Sequence, residues 1–243
     1  MSIPRRIEPE WLDDLPPDNP RAVRSRRDLR RINRLMANAA IIDRELTRSP
    51  SAGSLRSIAE IGAGDGTLML RLAERSAAKS PGVRVVLLDQ QDIVSRATCN
   101  QFESLGWTVQ IATADIFKWL AQPGGEVFDV MIANLFLHHF DVADLRALLS
   151  LASRRTSLFI ACEPRRSALA LAGSHMLGLI GCNDVSRHDA VVSVRAGFDG
   201  QELSALWPAG SEWVLHERAH GLFSHCLTAC RIVENGALAQ GRA

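Results

Sequence analysis

Short apolar runs alternate with segments of helical periodicity along most of this chain, from about residue 55 to residue 162. This alternation is typical of a parallel β-sheet whose helices pack on its two faces. The predicted strands cover residues 56–61, 83–88, 108–112, 127–133 and 157–162. The predicted helices between them cover residues 67–79, 91–104, 116–121 and 142–153. The pattern therefore predicts an α/β fold built on a parallel sheet.

The alternation stops after Glu163 and Pro164. Residues 165–198 contain two helical patterns, about 166–180 and 186–196, with no strand between them. The two last predicted strands cover residues 213–219 and 222–232. They are joined by little more than His220 and Gly221, and so short a connection predicts an antiparallel pair. A connection as long as 165–198 usually has a function, so we predict that it forms a helical lid over an apolar pocket.

The first 50 residues have a different pattern. Residues 1–20 are rich in proline and acidic side chains, which predicts an irregular arm. Apolar residues at helical spacing then predict one helix over about 20–46. Seven arginines between Arg21 and Arg34 lie mostly on its other face; they could contact nucleic acid, but a solvated face of a helix that packs on the core is favoured. We therefore predict an N-terminal arm and helix over 1–50, a turn at 49–53, and a core over 51–243.

Composition and charge narrow the function classes. The apolar share of 47% and charged share of 23% are close to those of an average globular protein. The net charge of +1 gives no overall field that would recruit nucleic acid or an anionic membrane. Five cysteines without a Cys-x-x-Cys pair favour buried free thiols and no metal site. Neither a signal peptide nor a membrane-length apolar run is present, which predicts a cytoplasmic protein; a homodimer stays possible.

The segment from Glu60 to Thr67, EIGAGDGT, places three glycines between the first predicted strand and its helix. Glycine adopts positive φ and lets a ligand approach the backbone closely, so such a turn predicts a ligand site. A dinucleotide site would need the pattern G-x-G-x-x-G, but position 67 is threonine and the third glycine is Gly66. Asp65 would also repel a pyrophosphate at the helix N-terminus. A small zwitterionic ligand with a ribose and an adenine fits the turn better.

Polar side chains follow the next three predicted strands. Asp89 ends the second strand, Asp115 follows the third, and Asn134 ends the fourth, with His138 and His139 just beyond. In an open α/β sheet, ligands bind at the carboxyl ends of the strands. A carboxylate at the position of Asp89 is where a nucleotide ribose presents its hydroxyls. One such side chain alone could cap a helix, but the set together with the glycine turn predicts a nucleoside-containing cofactor.

The segments EIGAGDGT, LLDQQ, ADIF and FDVMIANLFLHHF, together with the paired final strands, resemble the class I S-adenosylmethionine-dependent methyltransferases over about residues 55–232. The resemblance implies a Rossmann-like, mostly parallel seven-stranded sheet in the order 3-2-1-4-5-7-6, with strand 7 antiparallel. It also implies that the cofactor is S-adenosylmethionine. The cofactor-binding residues it implies are Glu60, Gly62 and Gly64 for the methionine part, Asp89 and Gln90 at the ribose, Asp115 and Ile116 at the adenine, and Asn134 and Leu135 near the reactive methyl group.

Within the family, NLFLHHF is similar to small-molecule methyltransferases of the quinone-biosynthesis type, and the lid segment is similar to bacterial enzymes of polyketide or phenolic metabolism. Residues 134–137 lack the Asn/Asp-Pro-Pro-aromatic motif of amino-methylating DNA enzymes, which argues against a nucleobase acceptor. We therefore predict methylation of a small, largely apolar hydroxylated metabolite, with O-methylation preferred. The alternatives are C-methylation of a quinone or polyketide precursor and a non-catalytic S-adenosylmethionine-binding protein.

Transfer to a phenol is helped by a general base, and histidine is the usual candidate. His138 and His139 follow the fourth strand, close to where the resemblance places the methyl group. His188 lies on the lid with Arg187 and Asp189 beside it in sequence. We predict that the base is one of these three histidines, with His188 as the first choice. Packing or surface positions are the alternative for each of them.

Overall fold

A computed structural model describes residues 3–49 and 55–232. Its centre is one seven-stranded sheet in the order β3-β2-β1-β4-β5-β7-β6. The strands are β1 Ser57–Ile61, β2 Arg84–Asp89, β3 Thr108–Thr113, β4 Phe128–Asn134, β5 Thr156–Pro164, β6 Trp213–His220 and β7 Ser224–Arg231. β1 to β5 pair in parallel, and β7 pairs antiparallel with both β5 and β6. The predicted strand order and the antiparallel last strand are confirmed.

Both faces of the sheet are buried, as expected when helices cover a parallel sheet on two sides. Successive residues of β1 point to opposite faces, so Ile58 and Ala59 belong to two different apolar clusters, both with no exposed surface. Nine helices surround the sheet in the described part of the chain. They are α1 Trp11–Asp14, α2 Pro20–Met36, α3 Asn38–Arg48, α4 Thr67–Ser76, α5 Arg96–Ser104, α6 Ile116–Leu120, α7 Val142–Ser153, α8 Ala168–His175 and α9 Asp184–Ala196.

The helix predicted over 20–46 is in fact two helices. Ala37 separates α2 from α3 and adopts a left-handed conformation with φ of 57°. The break turns the side chain of Asn38 into the interior, where it donates to Asn134 Oδ1 at 2.8 Å and accepts from Ser224 Oγ at 2.9 Å. Leu35, which shares the helical spacing of the apolar residues, is 70% exposed. A continuous apolar periodicity hid this break because α2 and α3 each keep helical spacing.

The helix predicted over 91–104 begins five residues later, at Arg96. The backbone N–H of Gln91 donates to Asp89, which keeps the start of this segment out of helical geometry. Ser95 then caps α5 by accepting from the N–H of Thr98 at 3.1 Å. The first residues after β2 thus form an extended loop at the edge where ligands of such sheets bind.

The segment over 165–198 consists of α8, a 3-10 turn over Met176–Ile180, and α9. α9 packs against α1 and α2, so the N-terminal region and this segment form one layer over the ends of β4 and β5. α2 contributes a polar contact surface here: Ser25 Oγ is 2.9 Å from Ser186 Oγ, and Asp28 accepts from the N–H of Asn183. The arginines Arg24, Arg27, Arg31 and Arg34 are exposed.

Two sequence predictions fall outside the described residues. Most of the predicted turn at 49–53 and the boundary proposed between residues 50 and 51 lie there. No helix within residues 3–49 and 55–232 has the length and apolar character that a membrane crossing requires.

Candidate active site

The glycine turn joins β1 to α4 at the carboxyl edge of the sheet. Gly62 has φ of 69°, and a Cβ there would collide with the ring of Phe136. Gly64 has φ of 55°, and a Cβ there would meet nothing within 4 Å. The turn therefore presents open backbone at Gly64 and is closed by an aromatic ring at Gly62. Arg30 of α2 pairs with Asp65 at 2.6 Å, so the N-terminal region also covers this turn.

Glu60 lies just before the glycine turn and is buried, with 2% of its surface exposed. Its Oε2 atom has no hydrogen-bond partner within the described part of the chain. Burial, followed by the charges of Asp65 and Asp89, raises the pKa of Glu60 well above its usual value. A buried, unpaired carboxyl in a negative environment is costly unless a cation binds it. The amino group of a bound zwitterion would supply that cation.

Asp89 at the end of β2 ties the glycine turn to the loop after β2. Its two oxygens accept from the N–H of Gly64 at 2.8 Å and from the N–H of Gln91 at 2.9 Å. Gln90 beside it is exposed. Asp115 caps α6 by accepting from the N–H of Lys118, and Ile116 is buried. The structure thus brings the residues predicted for ribose and adenine to one edge of the sheet, where Asp89 is already oriented by backbone donors.

A strained turn follows β4. Leu135 adopts φ of 51°, a conformation that costs a non-glycine residue about 1–2 kcal/mol. Glu163 from the end of β5 compensates by accepting from the N–H groups of Phe136 and Leu137, both at 3.0 Å. Asn134 is buried at the start of this turn. The carboxylate of Glu163, which accepts from the backbone of this turn, also contacts the side chain of His138.

His138 lies between two carboxylates. Its Nδ1 is 2.8 Å from Glu163 Oε2, and its Nε2 is 3.3 Å from Glu10 Oε1 in the N-terminal arm. Burial lowers the pKa of His138, but hydrogen bonds and charge from Glu10 and Glu163 outweigh this and raise it to about 9. Burial acts to raise the pKa of Glu10, and its contacts with His138 lower it to about 2. Both groups are therefore charged at neutral pH.

His139 and His188 have different surroundings. Burial and the neighbouring charge of His138 lower the pKa of His139 to about 4, so its ring is neutral at pH 7. Its Nδ1 is 3.6 Å from Asp13 in the arm, and the side chain is 29% exposed. His188 lies on α9, where Nδ1 contacts Asp189 at 2.9 Å and the ring stacks on Trp11 with centroids 3.9 Å apart. His138 and His139 thus adjoin the turn after β4, and His188 contacts the arm.

The arm was predicted as irregular, and its contribution to this site was missed. Asp189 of α9 accepts from the N–H groups of Trp11 and Leu12, which caps the short helix α1 and positions Glu10 next to His138. Ser193 of α9 also donates to Glu10. Burial, and then the charges of Glu10 and Asp189, raise the pKa of Asp13 to about 6. The acidic composition of residues 8–14 was the available signal, but it carries no periodicity that would locate it.

The two arginines after β5 have structural roles. Arg166 is buried and forms an ion pair with Glu202 at 2.5 Å, and it also donates to the carbonyl oxygens of Ile3 and Gly197. Arg165 donates to the carbonyl of Gly221. Each arginine therefore joins chain segments around the site.

Comparison with known proteins agrees with the fold. Residues 58–157 match a family model described as a methyltransferase domain. Solved structures with a similar fold include an O-methyltransferase family protein from Burkholderia thailandensis, with a TM-score of 0.55, 14% identity, and coverage of 83% of this chain and 58% of that one. A putative O-methyltransferase from Nostoc punctiforme has a TM-score of 0.53, 15% identity, and coverage of 93% and 64%. No curated protein matches the chain in sequence.

A third similar structure is the magnesium protoporphyrin IX methyltransferase from Synechocystis with bound S-adenosylhomocysteine, with a TM-score of 0.50, 16% identity, and coverage of 81% of this chain and 83% of that one. The chain spans less than two thirds of the length of the Burkholderia and Nostoc proteins. It has the fold of the class I S-adenosylmethionine-dependent methyltransferases, and the part of it that matches the methyltransferase-domain model is residues 58–157.

Proposed function

We propose that this methyltransferase-domain protein transfers a methyl group from S-adenosylmethionine to a hydroxyl oxygen of a small, largely apolar, phenolic or polyketide-like acceptor. The observation that carries the proposal is the pair of His138 and Glu163 at the adjoining ends of β4 and β5. A carboxylate behind an imidazole orients it for proton transfer. His138 lies four residues after Asn134. The family resemblance puts the reactive methyl group near Asn134.

The residues of the glycine turn suit the cofactor. Glu60 has a free buried oxygen for the cationic amino group, and Asp89 is held where ribose hydroxyls would bind. Gln90, Asp115 and Ile116 complete the proposed cofactor site. When bound, the cofactor supplies a methyl group on a positively charged sulfur, which an oxygen nucleophile can take by in-line displacement. The protein's main contribution is then to hold the acceptor in line, which can be worth several kcal/mol.

We assign the base to His138. Its Nδ1 is bound by Glu163, so Nε2 is the atom that can take the acceptor proton, and Glu10 occupies that position in this structure. An acceptor hydroxyl would replace the carboxylate of Glu10. Once the acceptor replaces Glu10, Glu163 is the one carboxylate left of the two that raise the pKa of His138, so the imidazole loses its own proton more readily and can take the proton of a phenol. His139 is neutral but far less basic, and His188, the other candidate, has its ring stacked on Trp11.

The surroundings favour an apolar aromatic acceptor. The ring of Phe140 contacts Phe136 and Phe117 edge-on, with centroids 5.1 and 5.7 Å apart. These rings pack next to the turn that carries His138. Aromatic rings bind other rings favourably in edge-to-face and offset arrangements. α1 and α9 lie over the same region, so we propose that residues 165–198 and the arm act together as a lid that excludes water.

The test is a methyl-transfer assay with isotopically labelled cofactor and a panel of phenols, hydroxyquinones and aromatic polyketides. We expect label in an O-methyl product, and the Asp89→Ala variant should bind S-adenosylhomocysteine at least about tenfold more weakly, since it loses a charged acceptor. Label on carbon would contradict O-methylation and favour the C-methylation alternative. An absence of S-adenosylhomocysteine binding by calorimetry would contradict the cofactor assignment itself.

A further inference from the structure

Four side chains that could bind a metal meet where the arm crosses the turn after β4. We call Glu10, Asp13, His138 and His139 the arm cluster. We infer that the arm cluster binds a divalent transition-metal cation such as Zn²⁺, with Glu10, His138 Nε2 and His139 as ligands and Asp13 beside them. Two imidazoles and one or two carboxylates are a ligand set that such cations favour over Mg²⁺ or Ca²⁺.

The distances suit this coordination. One ligand atom from each of Glu10, His138 and His139 lies within 4.8 Å of the other two. Two ligands that bind Zn²⁺ at about 2.05 Å and a tetrahedral angle lie about 3.3 Å from each other. Glu10 Oε1 and His138 Nε2 are already 3.3 Å apart. The ring of His139 is partly exposed, so its rotation can bring its ligand atom from within 4.8 Å to that separation.

The groups behind the ligands have the arrangement that metal sites require. Metal-binding histidines usually donate their second ring N–H to a carboxylate, which fixes the ring and its tautomer. Glu163, with no exposed surface, has this position at 2.8 Å from Nδ1 of His138. Ser193 donates to Oε1 of Glu10, the oxygen that faces Nε2 of His138, and so holds this carboxylate in position. Both supports come from elements of the core and the lid, so the ligand atoms are held before any cation binds.

The charge around the arm cluster also favours a cation. Glu10, Asp13 and Asp189 lie near one another, and Glu163 adds a fourth carboxylate on the inner side of His138. Arg5 is close, but its guanidinium donates to the carbonyl oxygens of His138, Phe140 and Ala196. Glu10 and Glu163 therefore contact His138, Asp13 contacts His139, and a divalent cation would balance the charge of these carboxylates.

The metal site adjoins the site of the proposed function. The binding of the cation does not depend on that proposed function, and only the role of the cation toward the acceptor rests on it. A cation bound at Nε2 of His138 would replace the proton there, so that in the metal-bound form His138 is a ligand and not the base. An open coordination position of the cation would then take the acceptor oxygen. A zinc ion lowers the pKa of a bound water to about 7, and a bound phenol would be affected in the same direction. The hydroxyl proton would then leave to solvent before methyl transfer.

The experiment uses the metal alone. The chelator-treated full chain is titrated with Co²⁺, without cofactor or acceptor, and its visible absorption bands are followed. We expect one Co²⁺ per chain with bands of a four- or five-coordinate site, displaced by Zn²⁺. Glu10→Gln and His139→Asn should each weaken binding at least tenfold, and Glu163→Gln by about 10–100-fold, as for other carboxylates behind metal-binding histidines. The control is His216→Asn, at an exposed position on β6, which should bind as the wild type does.

Each outcome decides a separate point. Failure of Co²⁺ to bind, or equal binding by wild type and His139→Asn, would overturn the inference. The melting temperature of each variant identifies any loss of metal binding that comes from unfolding. Because His139 is partly exposed, His139→Asn is the substitution with the smallest expected effect on folding. Metal binding without any methyl transfer would retain the inference and contradict the proposed function. Metal binding with methyl transfer unchanged after metal removal would contradict the role proposed for the cation toward the acceptor.

Discussion

The two halves of the proposed active site, one for the cofactor and one for the acceptor, are built in different ways. The cofactor half, at the ends of β1 and β2, uses the backbone of one short segment, with Gly64 N–H bound by Asp89 only 25 residues away. The acceptor half, at the ends of β4 and β5, uses side chains from distant parts of the chain: Glu10 is 128 residues from His138. The first half therefore leaves a continuous motif in the sequence, and the second leaves isolated polar residues whose proximity follows from tertiary packing alone.

The largest effect should come from the acceptor half. Replacement of His138 by Asn removes the proposed base, and loss of a general base costs about 10²–10⁴-fold in turnover. We expect kcat to fall by that factor, with the affinity for S-adenosylhomocysteine unchanged within about twofold because the cofactor half is built separately. Circular dichroism would check that the variant folds. A comparable loss of cofactor affinity would show that the two halves are not independent.

The cofactor half can be tested at Gly62. A Gly62→Ala substitution forces an L residue into φ of 69° and drives a methyl group into the Phe136 ring. The backbone strain of about 1–2 kcal/mol lowers stability, and the clash with Phe136 distorts the glycine turn itself, so we expect cofactor affinity to fall by tenfold or more in calorimetry. The matched control is Gly82→Ala, at φ of 72° with nothing within 4 Å, which carries the backbone strain far from the site. Equal affinity losses in the two variants would contradict a specific role for Gly62.

The pH dependence of turnover tests the acceptor half alone, and the expected effect is smaller. His138 must be unprotonated to accept a proton, so turnover should rise with pH through about 9, where its pKa lies. Glu10 is one of the two carboxylates that raise this pKa. Glu10→Gln should therefore move the rising limb of the pH profile to lower pH. A profile that is identical in wild type and Glu10→Gln would contradict the assignment of the limb to His138.

The smallest effect is expected at His188. His188→Ala removes a stacked ring from Trp11, and such contacts are worth about 0.5–1.5 kcal/mol. We expect a slightly lower melting temperature and turnover within about threefold of wild type. A loss of turnover as large as that of His138→Asn would instead support His188 as the base.

Most of the fold follows from the sequence, because it depends on local periodicity. The proposed cofactor half could be predicted because its residues follow one glycine-rich segment and the next strand ends, and its role stays a prediction. The acceptor half depends on three features that local patterns do not encode. The break at Ala37 is hidden by apolar residues that keep helical spacing on both sides. Asp189 caps a four-residue helix 178 residues before it. Glu163, near the end of β5, orients both a backbone turn and an imidazole.

The contact of Phe136 with Gly62 has a consequence for the order of events in catalysis. The backbone of Phe136 and the ring of His138 are both held by Glu163, while the ring of Phe136 covers the glycine turn. A cofactor that binds at Gly62 would meet this ring, and a shift of the ring would reach the segment that carries the proposed base. We expect an ordered kinetic mechanism in which the cofactor binds first. S-adenosylhomocysteine should then inhibit competitively against S-adenosylmethionine and non-competitively against the acceptor, and a competitive pattern against the acceptor would exclude this order.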